Sequence, residues 1–480
     1  MKRLILIVSA ALVFAAEAKF EKVVDVTLAD QQGLVNVATK IGGFVGEPML
    51  GMMPAGLFAA NPLAMQGFGP ARGDGNFYAA VYMDGSEISG DIEQLVVNNK
   101  VKFAVLYPVS SSKADFLAAN PQSKEADGVI PWNGMSVVFS ADGKYAAIAN
   151  DGAAARMALS DAAGIPALKK DEAARFRAFN AGMQLITKIL ESETEIAKMY
   201  PQYIEIYKSI TKFEVSLCAG DYGIDIRSSF DSVPGSLLSK LGNKPLSSRT
   251  PLAFAGKDAL IACAYAADAA GGDADAQWKK LMDFAKKWGV KADWVSYVKK
   301  GINSKIVIDP VALATYVKGE GKAKFKELEK DAEKILPDAT ALFKPTVEVK
   351  SPEQACALYV KGAKVPVDAQ ARFDKVLPGF SGKPCASVGV FSMYGAIKSV
   401  GEVVCPLIDD KDAKEAKAFF AQLPAADGCA IAYVWTKKVP LTHESVVRVN
   451  PAEIRNLATF FKTVQAEQQK KLNSASEDAD

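Results

Sequence analysis

Histidine is nearly absent from this sequence of 480 residues, in which His443 is the only one. A single imidazole cannot build a histidine-rich metal site, and a Ser-His-Asp triad would have to use this residue. Its neighbours Thr442 and Glu444 are polar, which favours a surface position over a catalytic one. The Gly-x-Ser-x-Gly elbow and the Gly-rich phosphate-binding loops are also missing. The sequence therefore predicts no catalytic residue, no cofactor and no metal site.

Cysteine is absent from the first 217 residues, and six cysteines follow. No Cys-x-x-Cys pair occurs, so neither a zinc knuckle nor a thioredoxin-type redox pair is indicated. Most of the six stand in apolar runs, where buried thiols are as reasonable as disulfides. Both interpretations therefore stay open for Cys218, Cys263, Cys356, Cys385, Cys405 and Cys429, and their connectivity does too.

Basic and acidic residues are also nearly balanced in number. The sequence has 57 basic and 55 acidic residues, a formal net charge of +2. Such a chain has no basic field that would hold nucleic acid or anionic lipid. At 49% hydrophobic and 23% charged residues, the composition is that of an ordinary globular protein.

The N-terminus has the pattern of a secretory signal peptide. Lys2 and Arg3 precede an uncharged stretch from Leu4 to Ala16, and Ala16-Glu17-Ala18 offers small residues at a cleavage site. The stretch is too short to span a membrane comfortably. We expect cleavage before Lys19, export to the periplasm or the exterior, and no transmembrane segment in the mature chain.

Strand and helix patterns alternate through the rest of the sequence. Residues 77–82, 103–109 and 135–139 alternate like strands, and Ser110-Ser111-Ser112 can cap a helix after Pro108. This order predicts an α+β fold with two related lobes of mainly antiparallel sheet, helices on one face, and a divergent α+β middle segment. The predicted divisions are a signal peptide at 1–18, a first lobe at 19–165, a helical connector and middle segment at 166–340, a second lobe at 341–472, and a disordered acidic tail at 473–480.

Parts of the first lobe return about three hundred residues later. An apolar run closed by Pro108 is matched by one closed by Pro406, and the asparagine Asn150 is matched by Asn450. Three landmarks at nearly one offset predict a duplication. Residues 75–160 and 385–461 should then share one strand order, with the two prolines at equivalent strand ends.

Residues 100–160 and 400–460 are similar to parts of other exported proteins. The strand closed by Pro108-Val109-Ser110, or by Pro406-Leu407-Ile408-Asp409, then a helix and an Asp-Gly turn, resembles large exported bacterial proteins of uncharacterised function that contain repeated α+β modules. The resemblance implies the architecture and no particular activity.

Phe44–Pro70 is the one unusual local stretch. It contains a single charge, Glu47, together with four methionines, three phenylalanines and several Gly and Pro residues. These residues predict a long apolar loop without regular structure. A protein partner or a second copy would contact it through Met49, Met52, Met53, Phe58, Met65 and Phe68. Two alternatives remain: the loop covers its own lobe, or its methionine thioethers bind Cu(I).

These observations favour an exported, non-catalytic binding or scaffolding protein of the cell envelope. An envelope hydrolase with a carboxylate-based site is the first alternative, and a periplasmic carrier of an apolar ligand is the second. A hydrolase should show converging carboxylates with raised pKa values, and a carrier should show an apolar cavity.

Overall fold

A computed structural model describes residues 20–59, 61–84, 100–162, 167–192, 201–240, 245–246, 252–253, 255–266, 303–308, 353–365, 367–380, 384–405, 410–439 and 441–477. The predicted signal peptide and much of the predicted middle segment lie outside these residues. The chain divides into two compact units, Met1–Val37 with Met52–Ser216, and Ala38–Gly51 with Leu217–Asp480. Helix α1 (Gln31–Val45) and strand β8 (Ile210–Gly220) each run through a boundary between the units.

The first unit is an antiparallel sheet with helices. Its strands are β1 (Phe20–Leu28), β2 (Phe77–Asp84), β3 (Val101–Pro108), β4 (Ile130–Trp132), β5 (Met135–Phe139), β6 (Tyr145–Ala149) and β7 (Glu172–Ala178). They lie in the order β7-β1-β2-β3-β6-β5-β4, and each neighbouring pair is antiparallel. Its helices are α2 (Met53–Ala59), α3 (Lys113–Ala119), α4 (Gly152–Ala162), α5 (Asn180–Ser192) and α6 (Pro201–Lys208).

The C-terminal end of strand β3 is buried on both faces because its side chains alternate between two clusters. Leu106 belongs to a cluster in which Ala154 and Ala158 of α4 lie close to the sheet. Tyr107 belongs to the opposite cluster, which Phe116 of α3 completes. Helices therefore cover both faces here, whereas the sequence predicted helices on one face only.

Helix α3 begins where the sequence predicted a cap. The Ser112 hydroxyl accepts a hydrogen bond from the Asp115 backbone N–H, and the Asp115 carboxylate accepts one from the Ser112 backbone N–H. This reciprocal pair satisfies two donors that a helix start leaves open. The serines after Pro108 thus end strand β3 and start a helix, as the sequence predicted.

The second unit combines a mixed sheet with helices. Its strands are β9 (Gly223–Ser232), β10 (Ile261–Ala266), β11 (Asn303–Ile308), β12 (Glu353–Val360), β13 (Ser387–Phe391), β14 (Ile431–Val439) and β15 (Thr442–Val449). They lie in the order β11-β12-β10-β13-β14-β15-β9, in which only β11 and β12 pair in parallel among the described strands. Its helices are α7 (Leu237–Lys240), α8 (Ala369–Val376), α9 (Met393–Val404), α10 (Asp410–Gln422) and α11 (Pro451–Glu477).

One buried cluster of the second unit lies on a single face of this sheet. Val388 and Val390 of β13 and Val434 of β14 point to the same side, where Phe373 and Val376 of α8 pack against them. The prediction of an α+β fold with mainly antiparallel sheet is confirmed.

The predicted strand-by-strand duplication is wrong. Val105 and Leu106 lie in strand β3, whereas their predicted counterparts Val403 and Val404 lie in helix α9. Pro406 is outside the described residues. Residues 75–160 contribute strands in the order β2-β3-β6-β5-β4, while 385–461 contribute β13-β14-β15.

One landmark of the predicted repeat does agree. Asn150 follows β6, and its side chain accepts from the Phe103 N–H and donates to the Val101 carbonyl at the start of β3. Asn450 follows β15 and in the same way joins the Ala430 N–H and the Gly428 carbonyl, just before β14. Each asparagine ties the end of one strand to the start of its neighbour, and a helix begins directly after it.

The C-terminal helix is longer than the sequence predicted. Helix α11 continues through Glu477, so residues 473–477 are helical rather than part of a disordered tail. Residues 478–480 lie outside the described part of the chain.

Candidate functional site

The apolar segment Phe44–Pro70 is mainly helical, so the prediction of an irregular loop is wrong. A 3-10 helix covers Pro48–Met52, α2 follows it, and a turn with non-helical backbone at Gln66 and Gly67 covers Ala64–Phe68. Pro48 and Pro54 stand in the first turns of their helices, where the missing N–H of proline costs no intrahelical hydrogen bond. The prolines therefore begin helices here instead of preventing them.

Phe68 anchors the end of this segment in the first unit. Its ring is fully buried, with its centroid 4.6 Å from that of Phe116 and 5.1 Å from that of Trp132. The Tyr107 hydroxyl donates to the Gly69 carbonyl at 3.0 Å, and the Asn120 amide donates to the Gln66 carbonyl at 2.9 Å. Phe68 is therefore a core residue, and its prediction as a partner contact is wrong.

Gly69 fixes the direction in which the chain leaves this anchor. Its φ of 68° is a left-handed conformation that glycine adopts without steric cost. A Cβ at this position would also overlap the hydroxyls of Ser110 and Ser111.

The methionines of the segment have the opposite environment. Met65 is 90% exposed, Met52 64% and Met53 56%. These three residues, all in the first unit, are called the methionine surface below. Met49 is also exposed and belongs to the second unit, and the side chain of Phe58 lies outside the described structure.

The only charge of the segment is neutralised within the second unit. Lys462 Nζ lies 2.6 Å from the Glu47 carboxylate and also donates to the Val45 carbonyl. Residues 48–68 themselves contain no charged side chain. The three exposed methionines thus lie on a stretch of sequence without charge.

His443, predicted to lie at the surface, is instead fully buried in the second unit. Its ring stacks on Phe230 with centroids 4.6 Å apart and an interplanar angle of 13°, and Trp435 lies at 5.4 Å. Burial, followed by the positive charge of Lys437, lowers the pKa of His443 to about 4, although Asp231 acts in the opposite direction. The imidazole is therefore neutral near pH 7 and belongs to an aromatic core.

Buried carboxylates occur in both units, and two of them lie opposite arginine on a neighbouring strand. Asp25 on β1 is directly opposite Arg177 on β7, and two hydrogen bonds of 2.8 and 2.7 Å join them. Asp225 on β9 is directly opposite Arg448 on β15, with bonds of 2.6 and 2.8 Å. Such bidentate pairs fix the geometry of both side chains.

Glu172 in the first unit is also a buried carboxylate that pairs with an arginine. Burial alone would raise its pKa, yet hydrogen bonds from Arg175 and Ser216 hold the pKa below its ordinary value. The Arg175 contacts measure 2.7 and 2.6 Å, and the Ser216 contact measures 2.6 Å. A carboxyl group that acts as a general acid near neutral pH needs a raised pKa, whereas the pKa of Glu172 is lowered.

Glu453 is the carboxylate whose environment comes closest to that of a general acid, and sequence reasoning missed it. Burial raises its pKa, while hydrogen bonds from the Tyr394 N–H and the Ser392 hydroxyl, both 2.7 Å, oppose the rise. It thereby completes the N-terminus of α9. The stretch Asn450-Pro451-Ala452-Glu453 has the spacing of a cap for helix α11, which places Glu453 in the first turn of that helix but does not indicate its contact with α9.

A small cavity lies beside this carboxylate in the second unit. Arg372, Ser392, Ser399 and Cys429 are among its lining residues. Arg372 is 4% exposed and donates to the Ala259 carbonyl, and burial lowers the pKa of its guanidinium. The free space is about 10 Å³, which admits one water-sized group and no metabolite.

Nowhere in the described ranges do three or more His, Cys, Asp or Glu side chains gather closely enough to hold a metal ion. Among the described helices, none combines the length and the apolar character that a membrane crossing requires.

No family model and no curated protein matches the sequence. Among solved structures, crystal form I of TP0453 aligns with 46% of this chain and 78% of its own, at 11% identity and a TM-score of 0.24. A likeness at this level carries no argument about fold or function.

Proposed function

We propose that this protein is an exported, non-catalytic binding protein whose contact with a protein partner is made by the methionine surface, Met52, Met53 and Met65. The observation that carries the proposal is their exposure of 56–90% on a segment whose end, at Phe68, is fixed in the core of the first unit. Unbranched thioether side chains adapt to an irregular apolar surface, and they are over-represented at contact sites of this kind.

The rigid base of the segment supports this function. Phe68 is buried and the backbone around Gly69 is hydrogen-bonded, so the exposed methionines are presented by an ordered support. A contact surface that is ordered before binding loses less conformational entropy when the partner arrives.

The chemistry of the segment favours an uncharged protein surface as the partner. Binding to an anionic membrane requires lysine or arginine near the apolar side chains, and residues 48–68 have none. A highly charged partner would lose hydration against these methionines without gaining an ion pair. The complementary surface is therefore an apolar protein patch, on another protein or on a second copy of this chain.

The buried carboxylates favour binding over hydrolysis. Asp25, Glu172 and Asp225 are paired with arginine, and Glu453 caps a helix beside a cavity that is too small for a substrate. In the described part of the chain these groups have structural partners.

The test replaces the contact side chains with polar ones of similar length. A variant with Met52→Gln, Met53→Gln and Met65→Gln should fold with wild-type stability, because the three side chains are exposed. In native extracts of the host envelope, the wild-type protein should migrate as a complex and the variant at its own mass. A photoreactive residue at position 65 should crosslink to the partner, or to a second copy if the partner is the protein itself.

The matched control is Phe461→Gln with Leu472→Gln, since these side chains are 59% and 66% exposed on helix α11. This control should retain the complex. A complex that survives the triple methionine change contradicts the proposal. So does methionine-dependent flotation of the protein with uncharged lipid vesicles, which would assign the surface to a membrane.

A further inference from the structure

Two cysteines that are 93 positions apart in the sequence meet in the sheet of the second unit. Cys263 on β10 is the direct antiparallel partner of Cys356 on β12. We infer that these two residues form a disulfide across the two strands under oxidising conditions. The structure thereby selects one pairing among those that six cysteines allow.

The backbone spacing suits this bond. Directly opposed residues in an antiparallel pair have Cα atoms about 4.5 or about 5.5 Å apart, depending on the hydrogen-bonding position. Disulfides join residues with Cα separations of about 4.4 to 6.8 Å. Either type of pair therefore meets the distance requirement without backbone movement.

The two positions also lie on the same face of the sheet. Successive residues of a strand alternate between faces, and directly opposed residues share one. Ala262 and Ala264 on β10 and Ala357 on β12 are buried in the core of the second unit. Cys263 and Cys356 occupy the register positions between them, on the opposite face. Cys263 itself is partly exposed, so a redox partner can reach it.

The remaining four cysteines are less suited to exchange. Cys218, Cys385, Cys405 and Cys429 are all buried. Burial raises the pKa of the Cys429 thiol to about 12 and raises that of Cys405 as well. Only a thiolate attacks a disulfide, so buried thiols with raised pKa values react slowly.

The oxidant required is a small-molecule or protein disulfide, of which oxidised glutathione is the simplest. One cysteine thiolate attacks it, forms a mixed disulfide and releases one reduced glutathione. The second cysteine then displaces the other glutathione. The two protein sulfurs lose two electrons, glutathione gains them, and the two thiol protons leave with the two reduced glutathione molecules.

In the cell this pairing depends on the proposed export, because disulfides persist in oxidising compartments. The purified chain needs no such assumption. A pair that forms in vitro but is reduced in protein isolated from its host would contradict export and leave the pairing intact.

The experiment equilibrates the purified full-length chain in buffers of graded oxidised and reduced glutathione. Free thiols are then blocked, and the protein is digested with trypsin without reduction. Residues 258–279 and 351–361 are separate tryptic peptides that each contain a single cysteine. They should appear as one linked species that increases with the oxidised fraction, while the other four cysteines stay alkylatable after denaturation.

Cys263→Ser and Cys356→Ser should each abolish the linked species, and Cys385→Ser should leave it unchanged. The wild-type melting temperature should rise by several degrees on oxidation, and that of either serine variant should not. Alkylation of both peptides at every glutathione ratio overturns the inference. Linkage of either cysteine to any of the other four overturns it too.

Discussion

At the scale of single residues, Phe68 and Met65 show how far neighbouring apolar side chains can differ. They stand three positions apart in one segment, yet Phe68 is fully buried and Met65 is 90% exposed. A segment rich in Gly and Pro has no regular periodicity from which the buried side can be predicted. The left-handed conformations of Gly67 and Gly69 decide which side chain points inward.

This difference predicts a large contrast between two alanine variants. Phe68→Ala should lower the free energy of unfolding by about 3–5 kcal/mol, because it leaves a cavity among aromatic rings. Met65→Ala should change it by less than about 0.5 kcal/mol. Urea denaturation of the two variants measures both values. Equal destabilisation would show that Met65 is packed in the folded protein.

His443 was misplaced by sequence reasoning because its immediate neighbours are polar. In strand β15 the side chains of Thr442 and Glu444 point to the face opposite that of the histidine. The face of His443 is decided by Trp435 on the neighbouring strand β14 and by Phe230 on β9, which is distant in sequence. Local context could not reveal them.

The lowered pKa of His443, about 4 in the folded protein, predicts a loss of stability in acid. The unfolded chain binds a proton near pH 6.5 and the folded one does not, so this contribution is complete above that pH. It is lost as the pH falls toward 4. Between pH 7.5 and 5 the wild type should lose roughly 2 kcal/mol more than His443→Phe. The stacked ring is retained in this variant, and Lys437 and Asp231 are unchanged.

Denaturation curves of both proteins at several pH values measure this difference. Curves that fall in parallel would show that His443 is protonated as easily in the folded chain as in the unfolded one.

At the scale of elements, the strands predicted at 77–82, 103–109 and 135–139 are present. Alternation of apolar residues along the sequence is typical of a β-strand, because its side chains alternate between the two faces of the sheet. The run Val403-Val404 was predicted as a strand and lies in a helix. Short apolar runs have no period that separates strand from buried helix. Helix α9 is determined at its N-terminus, where the side chains of Ser392, just before the helix, and Glu453, far downstream in the sequence, satisfy its first N–H groups.

The two strand-end asparagines predict unequal effects of the same substitution. The Asn450 side chain joins the Ala430 and Glu453 N–H groups to the Gly428 carbonyl in a buried position. Asn450→Ala should therefore cost about 2–3 kcal/mol of unfolding free energy. Asn150→Ala should cost about 1 kcal/mol, since water can replace its hydrogen bonds at an exposed site.

Thermal and urea denaturation of the two asparagine variants provide the comparison. A larger loss for Asn150→Ala would indicate that the first junction is the more enclosed of the two.

At the scale of the whole molecule, composition and strand patterns were enough to predict an α+β fold. They did not predict which strands distant in sequence pair with each other. The order of strands depends on contacts between distant residues, such as β10 with β12, that no local pattern contains. The sequence singled out the methionine surface because a long uncharged stretch is unusual. Glu453 and Arg372 escaped notice because single charged residues are common and only the fold reveals their burial.

Export is the prediction that belongs to the whole chain. The protein isolated from its host should begin at Lys19, because Ala16 and Ala18 offer the small side chains that a signal peptidase requires. N-terminal sequencing of the envelope fraction measures this directly. Intact Met1 on protein from the cytoplasmic fraction would refute both cleavage and export.

The paired charges Asp25–Arg177 and Asp225–Arg448 have a consequence for how this sequence can evolve. Loss of Asp25 or Asp225 leaves the facing arginine without its carboxylate, at a cost of about 3–5 kcal/mol, whereas joint replacement of the carboxylate and the arginine by apolar residues of similar volume is nearly neutral. Positions 25 and 177 should therefore change together in descendant lineages, and positions 225 and 448 likewise. A protein in which only one partner is replaced stays folded only if its stability exceeds this cost. These pairs should therefore be replaced rarely, and both members should change together.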